Sequence, residues 1–288
     1  MAKRKSPGER PVVLQLRAGA ANPVTLEAAL RVAAALHRDF ESIFVEDDDL
    51  LSLSAMPFAR EITMTGRRSR PLSREVVARQ MHAASLAAQR EIESIARRLD
   101  VKTRFTTVRD EPAHAMRQAG KRAGILVFGE PISTATHRDM RAVVSCLAGV
   151  AGCLLVGQGV RRASGRIIAL IDDLEHMDEI VAAALRFGGQ STDVLGVLAV
   201  AEALARPDEF AMRLTEIVGR ARRVLVEQLR TDEPASLAHG VSRLGGGLLV
   251  AGFGGRLIGS DAAIVRVAAA IECPLLLLRP GALEPAAA

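Results

Sequence analysis

The sequence predicts an α/β protein: two tandem open five-stranded parallel sheets with helices on both faces, a Rossmann-like arrangement. Three observations carry this. Short, almost continuously apolar runs alternate with longer amphipathic stretches along the 288 residues, as expected of strands buried on both faces and joined by helical crossovers. The pattern occurs twice. ILVFG (125–129) and CLLVG (153–157) start 28 residues apart, and LLVAG (248) and PLLLL (274) start 26 apart, which reads as an internal repeat. A Gly-, Ser- and charge-containing stretch, QGVRRASG (158–165), lies between the two copies.

In the first copy VVLQL (12–16) reads as a buried strand, followed by a helix over Pro23–Arg38 with Leu26, Leu30 and Ala33 on one side. SIFVE (42–46) is a second strand, and one of Asp47, Asp48 and Asp49 caps a helix through Leu50, Leu51 and Leu53. VKTRFTTV (101–108) is a third strand, then come a helix over Pro112–Arg122, the strand ILVFG, a helix near Asp139–Leu147 and the strand CLLVG.

The second copy opens with RIIALID (166–172), a helix over Met177–Phe187 and the strand DVLGVLAV (193–200). Pro207–Leu229 reads as one long helix, with Phe210, Leu214, Ile217, Ala221 and Val224 at three- and four-residue spacing. Pro207 suits its first turn, and Asp208 and Glu209 suit the positive end of its dipole. GGLLVAG (246–252) is a strand, Ser260 caps a helix carrying Ile264, Val267 and Ile271, and PLLLLRP (274–280) closes the set.

The boundaries that follow are a disordered N-terminus (1–10), a first α/β domain (11–157), a linker (158–165), a second α/β domain (166–280) and a tail (281–288). The first copy is longer by about 28 residues, centred on PFAREITMTGRRSRPLS (57–73). This insert and the helix start after it carry Arg60, Arg67, Arg68, Arg70, Arg74 and Arg79 against Glu61 and Glu75. It is either a solvated loop or an anion-binding patch for an acidic partner or nucleic acid.

Composition excludes several function classes. Aromatics are 3%, eight Phe with no Trp or Tyr, so the stacking platforms of single-strand nucleic-acid binders are missing. A net charge of +5 over 288 residues is mild, and nucleic acid is not an expected partner. Three cysteines, Cys146, Cys153 and Cys273, lack CxxC spacing, which disfavours a zinc site and a disulfide framework. The basic MAKRKSPGER (1–10) leads into an apolar run broken by Gln15 and Arg17, too short for a signal h-region. A cytoplasmic protein without membrane spans is expected. HExxH, GxSxG and GxxxxGK[ST] motifs are absent, so neither a zinc hydrolase, a serine nucleophile nor P-loop chemistry is indicated.

Ligands of open parallel sheets bind beyond the carboxyl ends of the strands. The most informative such segment is LLVAGFGGRLIGSDAA, where a strand enters a glycine-rich turn and then a helix start. Glycines admit a ligand close to the backbone, and the free N–H groups of the helix start can hold an anion. Arg256 adds a positive charge. GFGG is not a dinucleotide fingerprint, since Leu257 stands where GxGxxG needs glycine. Asp172, Asp173, Glu175, His176, Asp178 and Glu179 cluster at another strand end, where capping and dipole complementarity account for most of them.

This ending resembles that of the universal stress protein family in its tandem two-domain form. The family ends in a strand, a G-x2-G-x9-G-[S/T] loop, a helix and an apolar strand. Here Gly252 and Gly255 match the first pair, Gly259 and Ser260 match the last, and Cys273-Pro274 opens the final strand. Asp172 stands where ATP-binding members carry an acid. Only Arg256 to Ile258 separate Gly255 from Gly259, a shorter loop than the motif's. In the first copy Gly129 is followed by Glu130 with no second glycine, and the first strand ends in Gln15-Leu16-Arg17.

The resemblance implies a pseudo-dimer and a stress-associated regulatory protein that is not an enzyme. It implies an adenine nucleotide such as ATP, with any accompanying Mg²⁺, bound only in the second domain. Asp172, Gly252, Gly255, Arg256, Gly259 and Ser260 would form that site. It also implies self-association through final strands. The alternative is an interaction scaffold that binds no nucleotide and meets a protein partner through the pseudo-dimer surface and the Arg-rich insert.

Overall fold

The computed structural model describes residues 10–17, 22–62, 69–128, 149–160, 163–188, 194–219, 222–279 and 281. The expectations for the N-terminus (1–9), Arg67 and Arg68, Gly129 and Glu130, the helix at 139–147 and the tail (282–288) lie outside these residues.

The first half contains β1 (Val12–Leu16), α1 (Pro23–Ala35), β2 (Phe40–Asp47), α2 (Asp48–Ser54), β3 (Arg60–Ile62), β4 (Ser69–Pro71), α3 (Arg74–Leu99), β5 (Thr103–Asp110), α4 (Pro112–Arg122), β6 (Ile125–Phe128) and β7 (Gly152–Leu155). The second contains β8 (Arg166–Ile171), α5 (Met177–Gly188), β9 (Val194–Ala199), α6 (Pro207–Val218), β10 (Arg223–Gln228), α7 (Pro234–Arg243), β11 (Gly246–Gly252), α8 (Asp261–Ala270) and β12 (Leu275–Leu278).

One ten-stranded sheet, in the order β10-β9-β8-β11-β12-β7-β6-β1-β2-β5, replaces the two separate sheets expected from the sequence. Each half keeps the same internal order, with its third, second, first, fourth and fifth main strands side by side. Within each half the pairing is parallel. The halves fuse because β7 and β12 pair antiparallel, Leu155 opposite Leu275 and Gly152 opposite Leu278. At this seam the backbones are close: a Cβ on Gly152 would lie 2.7 Å from the Leu277 carbonyl oxygen. The final strands, the expected surface for self-association, are thus paired with each other.

The central strands are apolar and buried, as Ile125–Phe128, Gly152–Leu155 and Leu275–Leu278 illustrate, and their side chains join one core cluster running through both halves. The sheet's edges differ in kind. β5 and β10 alternate exposed and half-buried positions and carry Arg104, Arg109, Arg223 and Glu227, charges that discourage edge pairing.

Local signals account for most helix ends. Asn22 caps α1 by accepting from Val24 N–H, ahead of Pro23 in the first turn. The helix stops at Ala35 rather than Arg38, and His37 follows at a φ of 51°. Asp47 is the residue of the acidic triplet that caps α2, accepting from Leu50 N–H at 3.1 Å.

Two elements depart from the sequence reading. The helix expected over 207–229 ends at Val218, because Gly219 turns the chain at a φ of 72°. Residues 223–228, RVLVEQ, then form edge strand β10, paired with β9 over six residues. Val224 therefore does not extend the stripe of Phe210 and Leu214, and Ala221 lies outside the described residues. Within the insert, β3 and β4 pair antiparallel as a small separate hairpin, Glu61 opposite Arg70, joined by an ion pair of 2.5 Å.

Candidate functional site

In each half the strand order reverses between the first and fourth main strands, the place where open α/β sheets bind ligands. In the second half this crevice lies between β8 and β11, which are paired neighbours. Asp172 directly follows β8, and Gly252 ends β11. The glycine turn then folds on itself: Ile258 N–H donates to the Gly255 carbonyl at 3.1 Å, and Gly254 takes a φ of 91°. Phe253 N–H donates to the Leu278 carbonyl at 2.7 Å, tying the turn to β12. Ser260 caps α8 as expected, its Oγ accepting from Ala263 N–H at 3.3 Å.

The structure brings Asp172 and Gly255 into direct apposition. A Cβ on Gly255 would stand 1.9 Å from Asp172 Oδ2 and 2.7 Å from its Cγ. The carboxylate lies against the glycine turn, and its own amide and those of Leu257 and Arg256 favour its charged form. Burial pushes its pKa above the ordinary carboxylate value, neighbouring Asp173 adds to the rise, and the backbone N–H groups oppose it. An intramolecular carboxylate thus fills the space beside Gly255 that the sequence offers to a ligand.

Arg256 points elsewhere. Its guanidinium pairs with Glu202 through Nη1 and with Asp232 through Nε at 2.9 Å. Glu202 follows β9 and Asp232 follows β10, so Arg256 spans the carboxyl edge of three strands. These two acids, led by Asp232, raise the guanidinium's pKa further. Asp232 was hidden from sequence reasoning because β10, the strand it follows, read as the end of a helix, so no strand end was expected there. The alternating Val224 and Val226 of RVLVEQ, after Gly219, are the signal that marks the strand.

The acidic cluster resolves into local pairings. Asp173 accepts from His176 N–H at 2.8 Å and meets its Nδ1 at 3.1 Å. Desolvation works to raise the Asp173 carboxyl, but its hydrogen bonds with His176 outweigh that and hold it low. The same side-chain bond raises the His176 pKa. Asp178 pairs with Arg213 at 2.8 Å, and Glu179 accepts from Gly281 N–H at 2.7 Å. Among the described residues no group of three His, Cys, Asp or Glu side chains is placed to hold a metal.

At the corresponding crevice of the first half, Gln15 is buried in β1 and donates through Nε2 to the Pro112 carbonyl at 2.8 Å. Asp110 and His114 pair at 2.6 Å nearby.

Comparison with solved structures places this arrangement. The fold is that of universal stress proteins. A universal stress protein from Archaeoglobus fulgidus DSM 4304 aligns with a TM-score of 0.55 at 11% identity, covering 93% of this chain and 98% of that one. A functionally unknown protein from Pseudomonas aeruginosa PAO1 aligns at 0.55 and 12% identity over 96% of this chain and 95% of the other. The cytoplasmic domain of a prokaryotic cation chloride cotransporter aligns at 0.51 and 12% identity, over 96% and 97%. No protein-family model and no curated protein matches the sequence. The universal stress protein-like fold therefore spans nearly the whole chain at very low identity. No helix among the described residues is long and apolar enough to cross a membrane.

Proposed function

We propose that this chain is a universal stress protein-like regulatory protein that acts by contact with other protein surfaces and is not an enzyme. One observation carries the reading: the Asp172 carboxylate lies directly against Gly255 and fills the space in the glycine turn that a phosphate would need. A phosphate entering there would displace that carboxylate or lie against it, and like charges in a part-buried site repel strongly. Arg256 offers little relief, since Glu202 and Asp232 already hold its guanidinium. The likeness to a cotransporter's cytoplasmic domain supports a role by contact, because there the fold is one module of a larger protein.

The second reading keeps an adenine nucleotide, with any accompanying Mg²⁺, at Asp172, Gly252, Gly255, Arg256, Gly259 and Ser260. The Ser260-capped start of α8, beside the glycine turn, favours it.

Absorbance separates the two. With no Trp or Tyr, the protein is nearly transparent in the near ultraviolet, and copurified ATP or ADP would dominate its spectrum. The contact reading expects a flat spectrum and no calorimetric heat on titrating MgATP. A stoichiometric nucleotide band, or saturable heat, overturns it in favour of the second reading.

A further inference from the structure

Apart from the glycine turn, the most unusual surface is the segment running from the end of β2 into the insert. Leu50, Leu53, Met56, Phe58 and Ile62 are all exposed large apolar residues within thirteen positions, Phe58 at 75% and Ile62 at 66%. The burial pattern of α2 explains part of this. Leu51 faces inward and packs with Val77 and Met81 of α3, while Leu50 and Leu53, three apart, share the outer side. Met56 and Phe58 sit in a turn closed by the Ala59 N–H to Met56 carbonyl bond at 3.0 Å. In β3 the pleat puts Arg60 and Ile62 on one face and Glu61 on the other.

Isolated exposed apolar residues need no explanation, but a contiguous group with Phe, Met and Arg has the composition of an interface centre. Its charges indicate the occupant. Exposed Asp48 and Asp49 stand at the N-terminal end of α2, whereas the hairpin and the start of α3 that follow its other end carry exposed Arg60, Arg70 and Arg74 against Glu61, which pairs with Arg70, and Glu75. The surface is therefore acidic at one end, apolar in the middle and basic at the other. A partner of single charge sign would match only one end. A second copy turned about a two-fold axis matches both, acid on base twice over, as isologous interfaces require.

We infer that the α2–β3 surface is a self-complementary docking face on which two copies of this chain pair, with Phe58 at its centre. This goes beyond the reading above and holds whether or not the glycine turn takes a nucleotide. It also gives self-association a surface other than the final strands, which are paired within the chain.

Sedimentation of the purified full chain across a concentration series tests it. The wild type should move from 30.6 kDa toward twice that mass as concentration rises. Phe58→Glu, at an exposed position, should stay at the monomer mass with an unchanged circular dichroism spectrum. One charge-reversed variant combines Asp48→Lys with Asp49→Lys, and the other combines Arg60→Glu with Arg74→Glu. Each alone should be monomeric, because each sets like charges against each other. An equimolar mixture should form the dimer, since lysine then faces glutamate at one end and arginine faces aspartate at the other. A wild type monomeric at every concentration overturns the inference. So does a dimer that survives Phe58→Glu, or a mixture that stays monomeric.

Discussion

The apposition of Asp172 and Gly255 gives the sharpest test of the second-half crevice. In Gly255→Ala the new methyl would start 1.9 Å from Asp172 Oδ2, whereas carbon contacts settle at about 3.5–4.0 Å. The carboxylate must retreat by about 1.5 Å or more. Forcing an extra methyl into filled space costs about 1–3 kcal/mol. The contact is far inside van der Waals range, but Asp172 is only part-buried and regains water as it leaves, so the cost should be about 2–3 kcal/mol. At about 2–4 °C per kcal/mol for a domain of roughly this size, the melting temperature should fall by about 4–12 °C. Gly255 itself has no left-handed φ that would penalise alanine.

A double-mutant cycle isolates the contact. In an Asp172→Ala background the obstructing carboxylate is gone, and Gly255→Ala should cost well under about 1 kcal/mol, leaving a coupling energy of about 2 kcal/mol. Urea unfolding of the four proteins, followed by circular dichroism, measures each corner. Equal costs of Gly255→Ala in both backgrounds would falsify the reasoning, because the turn would then be intolerant of alanine for some cause other than Asp172.

Further outcomes follow from the same geometry. Burial holds the folded Asp172 carboxyl above its usual pKa. Its favourable contribution is therefore full below the ordinary carboxylate value and is lost as pH rises through the folded one. The melting temperature of Asp172→Asn relative to wild type should thus increase from pH 4 to pH 7, and a constant difference would count against that sign. His176 is raised mainly by its bond to Asp173, so Asp173→Asn should lower its imidazole midpoint in an NMR titration; an unmoved midpoint would show that the pair does not form. At the seam, Gly152→Ala drives a methyl against the Leu277 backbone oxygen, which has no side-chain freedom to retreat. It should cost about 2–3 kcal/mol in unfolding free energy, the upper part of the usual overpacking range. Cys153 and Cys273 are both buried, and burial pushes the Cys273 thiol up to about 12. A thiol reagent at neutral pH should modify at most one of the three cysteines rapidly in the native protein and all three in denaturant.

Much of the architecture was legible because buried parallel strands have little freedom in composition. VVLQL, ILVF and LLLL read as strands because both faces must be apolar, and they are fully buried in β1, β6 and β12. Ser260 was legible as a cap, and so was the acidic triplet of which Asp47 takes the role, because their side-chain oxygens have one obvious local use. Edge strand β10 was not: its outer face is wet, so polar residues interrupt the apolar run, and three- and four-residue coincidences continue the helix pattern past Gly219. The fusion into one sheet was not legible in the residues themselves, since nothing in LLLL or GCLL says which edge meets which strand; only the family resemblance, with its pairing of final strands, pointed toward it. At the site, the strand-end rule and the family resemblance together put the glycines and an acid in one place. They did not indicate that the acid fills the turn, because that depends on the shortened loop bringing Gly255 down onto Asp172.

The antiparallel seam decides how the two halves can communicate. Because β7 and β12 run in opposite directions, every strand of the first half runs against those of the second. The carboxyl ends of the two half-sheets therefore open at opposite edges of the ten-stranded sheet, and their two crevices cannot close on one ligand. The α2–β3 surface follows β2 and belongs to the first edge, whereas Asp172 and the glycine turn belong to the second. A dimer formed through Phe58 would leave the Asp172–Gly255 turn uncovered. Coupling between them would have to pass through the shared core, in which α1 of the first half packs against α5 of the second. The Gly255→Ala and Phe58→Glu effects should accordingly be independent: the first should lower the melting temperature without changing sedimentation, and the second should abolish dimers without altering the monomer's unfolding free energy. Sites this far apart with no shared partners normally add within about 0.3–0.5 kcal/mol. A Gly255→Ala protein that loses its dimer while remaining folded would show that the two edges are linked after all.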